Sequence, residues 1–255
     1  MHKKIFSERI SADDISTLSR EIDDGQLIKS EDFLADTYLD AVIDKPWGLE
    51  YRVYADMLVD VWRLSISAGQ STSMHCHPRK KTVLICLRGN IRVNFIRSSH
   101  QLGEGDFILI PKGVFHSTDS IGDIGAELIE VETPRNKFDL VRAKDKYGRQ
   151  KQHYEADKSE RAIAPLVQTS LNTFAKIRAS DLHGDFHFAL ASGSDILDDA
   201  DGAARFAISL ALEDAIEQEI DVVSLSSYSP DRLNKHKPYL VVSRARAGAA
   251  RANAI

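Results

Sequence analysis

The sequence predicts a mainly β protein: an antiparallel sandwich or barrel preceded by short helices and followed by a smaller α+β module. Three observations carry this. Between Tyr51 and about Val131 the chain consists of five short runs rich in Val, Ile, Leu and Phe: VDVWRLSIS, KTVLICLRG, NIRVNFIRS, GDFILIPKG and AELIEVETP. Glycine-bearing turns separate them at roughly ten-residue spacing, with no helical pattern between, which is how antiparallel sandwiches and barrels are written. A hydrophobic share of 43% over 255 residues supports a packed core and excludes disorder as the dominant state.

Before the β-rich region, Asp13–Ile22 and Glu31–Ile43 show apolar residues at helical spacing with Asp or Ser nearby to cap them, so two helices are expected within residues 1–43. The barrel is expected over residues 44–155. Its last part, the polar stretch PRNKFDLVRAKDKYGRQKQHYEADKSER, reads as a strap along the outside followed by a linker, with a boundary near Ala156–Ile163. The C-terminal module is expected over 163–245. There Asp185–Ala191 alternates like a strand, Gly202–Glu217 has helical spacing at Phe206, Leu210 and Ile216, and Asp221–Leu225 and Tyr239–Val242 read as further strands. Arg205–Leu212 also suits a buried strand, which would make this half a degenerate second barrel. Residues 246–255, biased to Ala and Arg, are expected to be a disordered tail.

Charge narrows the partners. With 38 acidic against 33 basic residues and a net charge of -5, no global positive field attracts nucleic acid or an anionic membrane, so any anion site must be local. Two cysteines, Cys76 and Cys86, make no disulfide framework, and the opening MHKKIFSERISADD lacks the apolar centre of a secretory leader. No apolar run approaches the ~18 residues of a membrane span. The cytoplasm is the expected address.

His75 and His77 precede one strand, and His116 follows the turn IPKGVF. In extended chain, residues two apart project to one side, so His75 and His77 can present two imidazoles to one point while Cys76 faces away. This is a metal-ligand spacing. Around it stand Gly69, Thr82 and Gly89, then Gly105, Pro111-Lys112-Gly113 and His116. In spacing this resembles the two signature motifs of the cupin superfamily. The resemblance implies a small jelly-roll barrel whose histidines, here His75, His77 and His116, surround one divalent metal ion: zinc, iron, manganese or nickel. It also implies pairing of barrels into a homodimer.

The departure from those motifs is Thr82, which stands where the family's glutamate ligand is expected, with Lys81 before it. A neutral hydroxyl is a poor substitute, and three neutral imidazoles leave the full +2 on the ion, which favours an anionic ligand. Arg79, Lys80, Lys81, Arg88 and Lys112 lie close in sequence to the histidines. Long cationic side chains are mostly exposed, so most of these are expected on a solvated rim. Lys112, in the turn four residues before His116, and Arg79 are the candidates for binding substrate.

Three further segments resemble the type II mannose-6-phosphate isomerases: Asp44-Lys45-Pro46-Trp47-Gly48-Leu49-Glu50, Leu128–Thr133 (LIEVET) and Val141–Arg149, which carries an R-x-x-D-x-YGR pattern. The resemblance runs from about Asp44 to Arg149 and implies a phosphorylated or nucleotide-activated sugar as ligand, in sugar or surface-polysaccharide metabolism. Ser117 stands where that family has an arginine after the second-motif histidine. Losing both that arginine and the glutamate argues against the ordinary isomerase reaction. An isomerase- or epimerase-like proton transfer would need another titratable group, and Glu130, on the face of its strand shared with Glu132, is the candidate. Two other readings stay open: a three-histidine iron dioxygenase, and a non-catalytic carbohydrate-binding or regulatory barrel. Cys76 is expected to be buried and inert.

Overall fold

A computed structural model of the chain describes residues 5–26, 38–149, 157–158, 161–169, 174–198, 204–210, 222–224 and 233–245. The first part comprises β1 (Ile5–Ser7), α1 (Ala12–Asp23), β2 (Val42–Lys45), β3 (Gly48–Ala55), β4 (Asp60–Ile66), β5 (Met74–Cys76) and β6 (Lys81–Arg88). There follow β7 (Asn90–Phe95), β8 (Ser99–Gly103), β9 (Phe107–Ile110), β10 (His116–Ser120), β11 (Ala126–Thr133) and β12 (Val141–Lys144). Three two-residue strands come next, β13 (Asp157–Lys158), β14 (Val167–Gln168) and β15 (Lys176–Ile177). The last elements are β16 (Phe186–Ser192), α2 (Gly193–Asp198), β17 (Ala204–Ser209), β18 (Val222–Ser224) and β19 (Pro238–Arg244).

A large sheet runs in the order β1-β9-β6-β11-β4-β3-β15-β14, with β2 joined to β3 and β13 to β2. A smaller sheet of order β12-β5-β10-β7-β8 faces it and completes the barrel. The turn Pro46-Trp47 joins β2 to β3, and Gly48 beyond it holds a φ of 145°. A Cβ there would sit 2.0 Å from the Ser65 carbonyl oxygen, so only glycine lets the hairpin lie this close to β4.

Register explains the packing. In β6 the alternate residues Leu84 and Cys86 turn into the barrel, where they meet Trp62, Leu64, Ile108 and Leu128 of the same sheet and Ile91 and Val93 of the opposite one. Val83, Ile85 and Leu87 turn outward, and with Val61, Ile129 and Val131 they pack against Phe186, Phe188, Phe206 and Leu240. These belong to a third, antiparallel sheet of order β16-β19-β17-β18. The large sheet is therefore buried on both faces, and for that reason β6 reads as a continuous apolar run rather than an alternating one.

At the other end of the chain, Ser11 and Asp14 form a capping box that starts α1. Asp14 also accepts a hydrogen bond from the Phe115 backbone N–H at 2.9 Å, so the helix is tied to the residue preceding His116.

Three expectations are corrected. Val42 and Ile43, placed at the end of a helix, are strand residues: both side chains are fully buried, and they pair with Tyr51 and Glu50. Residues 31–37 of that expected helix lie outside the described residues. Of the helix expected over Gly202–Glu217, Ala204–Ser209 is strand β17, because Phe206, Ala207 and Ile208 are consecutive and all buried between β18 and β19. Consecutive burial suits a covered strand, as in the alternative reading of this segment; residues 211–217 lie outside the described set. The supposed outer strap contains β12, an edge strand of the barrel beside β5, and lends side chains to its interior. The expected tail, 246–255, is outside the described residues.

One buried cation joins the barrel to the C-terminal sheet. Arg63, 1% exposed, reaches Glu127 at 2.7 Å and Asp181 at 3.7 Å, and its guanidinium lies 5.2 Å from the centre of the Phe186 ring. Arg63→Ala leaves the buried Asp181 carboxylate without its cation and should cost ~3 kcal/mol of stability in equilibrium urea unfolding.

Candidate metal centre

Two neighbouring strands position the histidines. His75 of β5 is the register partner of His116 on β10, and His77 lies two residues beyond His75. The ring centres are 5.0 Å apart for His75 and His77, 4.5 Å for His75 and His116, and 5.6 Å for His77 and His116. Each Nδ1 meets a backbone carbonyl oxygen: His75 that of Ser73 at 2.7 Å, His77 that of Asp139 at 2.6 Å and His116 that of Val114 at 3.0 Å. A carbonyl can only accept, so each Nδ1 donates its hydrogen and each Nε2 keeps a lone pair. One ring nitrogen from each residue lies within 4.8 Å of the other two. Burial, reinforced by neighbouring positive charge, holds His75 and His77 well below the usual histidine range, and burial takes His116 down to about 4. The imidazoles are neutral at physiological pH. That is the form a metal ion requires.

A second cluster adjoins the first. Glu130 and Glu132 alternate with outward apolar residues on β11, and both point inward, where one oxygen of each lies within 4.8 Å of a His77 ring nitrogen. Lys80, with no exposed surface, donates to Glu132 Oε1 at 2.6 Å. Burial, with the negative charge of Glu132 next in weight, pushes the Glu130 carboxyl up to about 8. His77 Nε2, Thr82 Oγ1 and Glu132 Oε2 are buried side-chain atoms without a hydrogen-bond partner among the described residues. Unpartnered buried donors and acceptors are rare in folded proteins. A divalent cation would complete the nitrogen and the carboxylate oxygen, so the residues present fit a metal.

The histidines and carboxylates lie in a cavity of about 620 Å³, measured out to its open mouth. Five cationic side chains, Lys45, Lys80, Lys137, Arg142 and Arg149, line it against three carboxylates, those of Glu50, Glu130 and Glu132. Glu50 stands between Lys137 Nζ at 3.2 Å and Lys45 Nζ at 3.8 Å. Burial lowers the Lys45 ammonium to about 8, whereas at Lys137 the attraction of Glu50, Glu132 and Glu130 outweighs burial and raises it. The Lys137 ammonium also lies 3.8 Å from the centre of the Trp62 ring. Positive charge is thus concentrated at one place in a chain whose net charge is negative.

Residues 62–132 match the family model described as a cupin domain. Those residues of the barrel form a cupin domain. Among curated proteins it is similar to "Mannose-1-phosphate guanylyltransferase ManC" of Salmonella typhimurium, 31% identical over 107 residues, which cover 41% of this chain and 22% of that protein. It is also similar to "Xanthan biosynthesis protein XanB" of Xanthomonas campestris, 29% identical over 107 residues, or 41% of this chain and 23% of the other. The chain spans about a fifth of the length of these relatives. Among solved structures, a "sugar phosphate isomerase from a cupin superfamily" from Silicibacter pomeroyi aligns with a TM-score of 0.31 at 18% identity, over 33% of this chain and 56% of that one.

The cupin brings together His75, His77, His116 and Glu130 from the sequence reading. Lys112 and Arg79 do not line the cavity: Lys112 is half-buried in its turn, and Arg79 is exposed, with its backbone N–H on the Asp139 carboxylate at 2.8 Å. Lys80, assigned with its neighbours to a solvated rim, is instead fully buried. Cys76 turns away from the histidines into a small apolar cluster with Phe115 and Val141, and burial raises its thiol pKa. Ser117 is buried and lies outside the lining. Lys45, Glu50, Lys80, Lys137, Arg142 and Arg149 also line the cavity, and no local pattern in the sequence marks them for it. Arg142 reaches the cavity as the register partner of His75 across the barrel edge.

Glu130 also makes stability depend on pH. Its folded-state pKa near 8 lies above the ordinary 4.5, so the folded chain holds a proton that the unfolded chain releases, and stability falls as pH rises from about 4.5 to about 8. Glu130→Gln abolishes this component. In urea unfolding the variant should gain on the wild type by more than ~1 kcal/mol between pH 5 and pH 8.

Proposed function

We propose that the cupin holds one divalent metal ion between His75, His77 and His116 and beside it binds a small phosphorylated or nucleotide-activated sugar, on which it carries out isomerase- or epimerase-like proton transfer. One observation carries the reading: three imidazoles whose Nδ1 atoms are each fixed by a backbone carbonyl and which bring one ring nitrogen apiece within 4.8 Å of the other two. A bound metal would polarise sugar oxygens and make an adjacent C–H more acidic. The chain's own residues would do the rest. Lys45, Lys137, Arg142 and Arg149 supply the charge that attracts and orients an anion. Glu130, with a pKa near neutrality inside the same cavity, is the group that takes up and returns a proton. Trp47, Leu64, Leu84 and Leu140 give the wall an apolar side against which a sugar ring can lie.

The printed names of the relatives support the ligand class. They speak of mannose 1-phosphate and of xanthan biosynthesis, and the chain would accordingly act in sugar or polysaccharide metabolism. Glu130, an inward carboxyl held near neutral pKa in the same cavity, is the feature that favours a reaction over recognition alone.

The metal is tested by elemental analysis of purified full-length chain. Wild type should carry about one ion per chain, and the combined His77→Ala and His116→Ala variant below ~0.1, with the metal-free melting temperature as the check on folding. Unchanged metal content in that variant overturns the reading. The ligand class is tested by calorimetry with hexose phosphates and their neutral hexoses. Hexose phosphates should bind, Lys137→Ala with Arg142→Ala should weaken them at least ~10-fold, and equal affinity for the neutral sugars overturns an anion site.

A further inference from the structure

We infer that Glu132 supplies the carboxylate to the metal centre, from the strand adjacent to the one that carries Thr82. The inference rests on the three-histidine reading and adds a residue to it. Glu132 of β11 and Thr82 of β6 are direct register partners, so their side chains leave the sheet on the same face. Neither is exposed by more than 1%. The hydroxyl of Thr82 has no hydrogen-bond partner among the described residues and carries no charge to offer a cation. The carboxylate of Glu132, one strand over, carries a full charge and reaches within 3.8 Å of His77 Nε2 through Oε1.

What each Glu132 oxygen does points the same way. Oε1 accepts the Lys80 ammonium at 2.6 Å. Oε2 is buried and has no hydrogen-bond partner among the described residues, and nor has His77 Nε2. A buried carboxylate oxygen without a donor is costly, and the His77 lone pair in the same cluster, an acceptor too, cannot relieve it. Two lone pairs of neighbouring buried groups, one anionic, are satisfied together by a cation. Lys80 already compensates the other oxygen and so acts as a positioning residue, holding the carboxylate in place as partners of metal-ligating groups commonly do. Three neutral imidazoles and one carboxylate would lower the charge of a bound divalent ion from +2 to +1.

The test titrates the metal-free full-length chain with cobalt(II), following visible absorption, and with zinc by competition against a chromophoric chelator. Glu132→Gln should weaken both ions by at least ~10-fold and change the cobalt spectrum. Adding Thr82→Glu to Glu132→Gln, which returns a carboxylate across the strand pair, should recover affinity. Because Glu132→Gln leaves the Lys80 ammonium buried without its counter-charge, Lys80→Met with Glu132→Gln is the companion variant, and metal-free melting identifies which of the two is folded. Wild-type affinity and an unchanged spectrum in the folded variant, with metal lost in the His77→Ala and His116→Ala chain, overturns Glu132 as a ligand and leaves the histidine reading standing. Metal retained by the histidine variant overturns both.

Discussion

The period-two alternation of the strand Ala126–Thr133 is the constraint from which the rest follows. That strand lies between β6 and β4 with both faces covered, sending Leu128, Glu130 and Glu132 into the barrel and Ile129 and Val131 outward against the C-terminal sheet. A slip of one residue would exchange the two sets. Two carboxylates would then press into an apolar layer of phenylalanines and valines, and two aliphatic side chains would face the histidines. Apolar burial outside thus fixes polar placement inside. No interaction among the polar groups themselves is needed to set the register.

The polar interior follows the rule that charge removed from water must find charge. Asp60, with no exposed surface, meets Arg52 and Arg135, each at 3.2 Å; Glu132 meets Lys80; Glu50 meets Lys137 and Lys45. Burial still raises the Asp60 pKa against the pull of both arginines. Such pairs confer little net stability once desolvation is counted, so their retention speaks for position rather than for strength. Glu130 stands apart in this set. It shares its nearest lysines with stronger claimants, and burial leaves its carboxyl near neutrality.

Much of this was legible in the sequence wherever a local period was enough. The barrel strands, the common side of His75 and His77, the turning away of Cys76 and the shared face of Glu130 and Glu132 follow from alternation over a few residues, whereas the joining of His116 to the pair was implied by the family resemblance. The cavity cations do not, because Lys137 and Arg142 lie more than fifty residues from His75 in the chain and reach it only through closure of the barrel. Burial of Lys80 contradicts the usual habit of lysine and is intelligible only once Glu132 is seen opposite. In the C-terminal half, Phe206 and Leu210 stand at helical spacing, yet burial of three consecutive residues made a strand. The continuous apolar run of β6 is the sign in the sequence of a doubly covered sheet, although it does not say which segment supplies the cover.

The C-terminal sheet lies on the outer face of the cupin and is tethered to it by the same backbone. Had a second molecule supplied that cover, the apolar outer face would be shielded only to the extent that concentration permits, and dilution would expose it. A cover on the same chain has an effective local concentration that dilution does not change. The dry outer layer that holds the strand Ala126–Thr133 in register, and with it the placement of the inner carboxylates, therefore does not depend on how much of the protein is present.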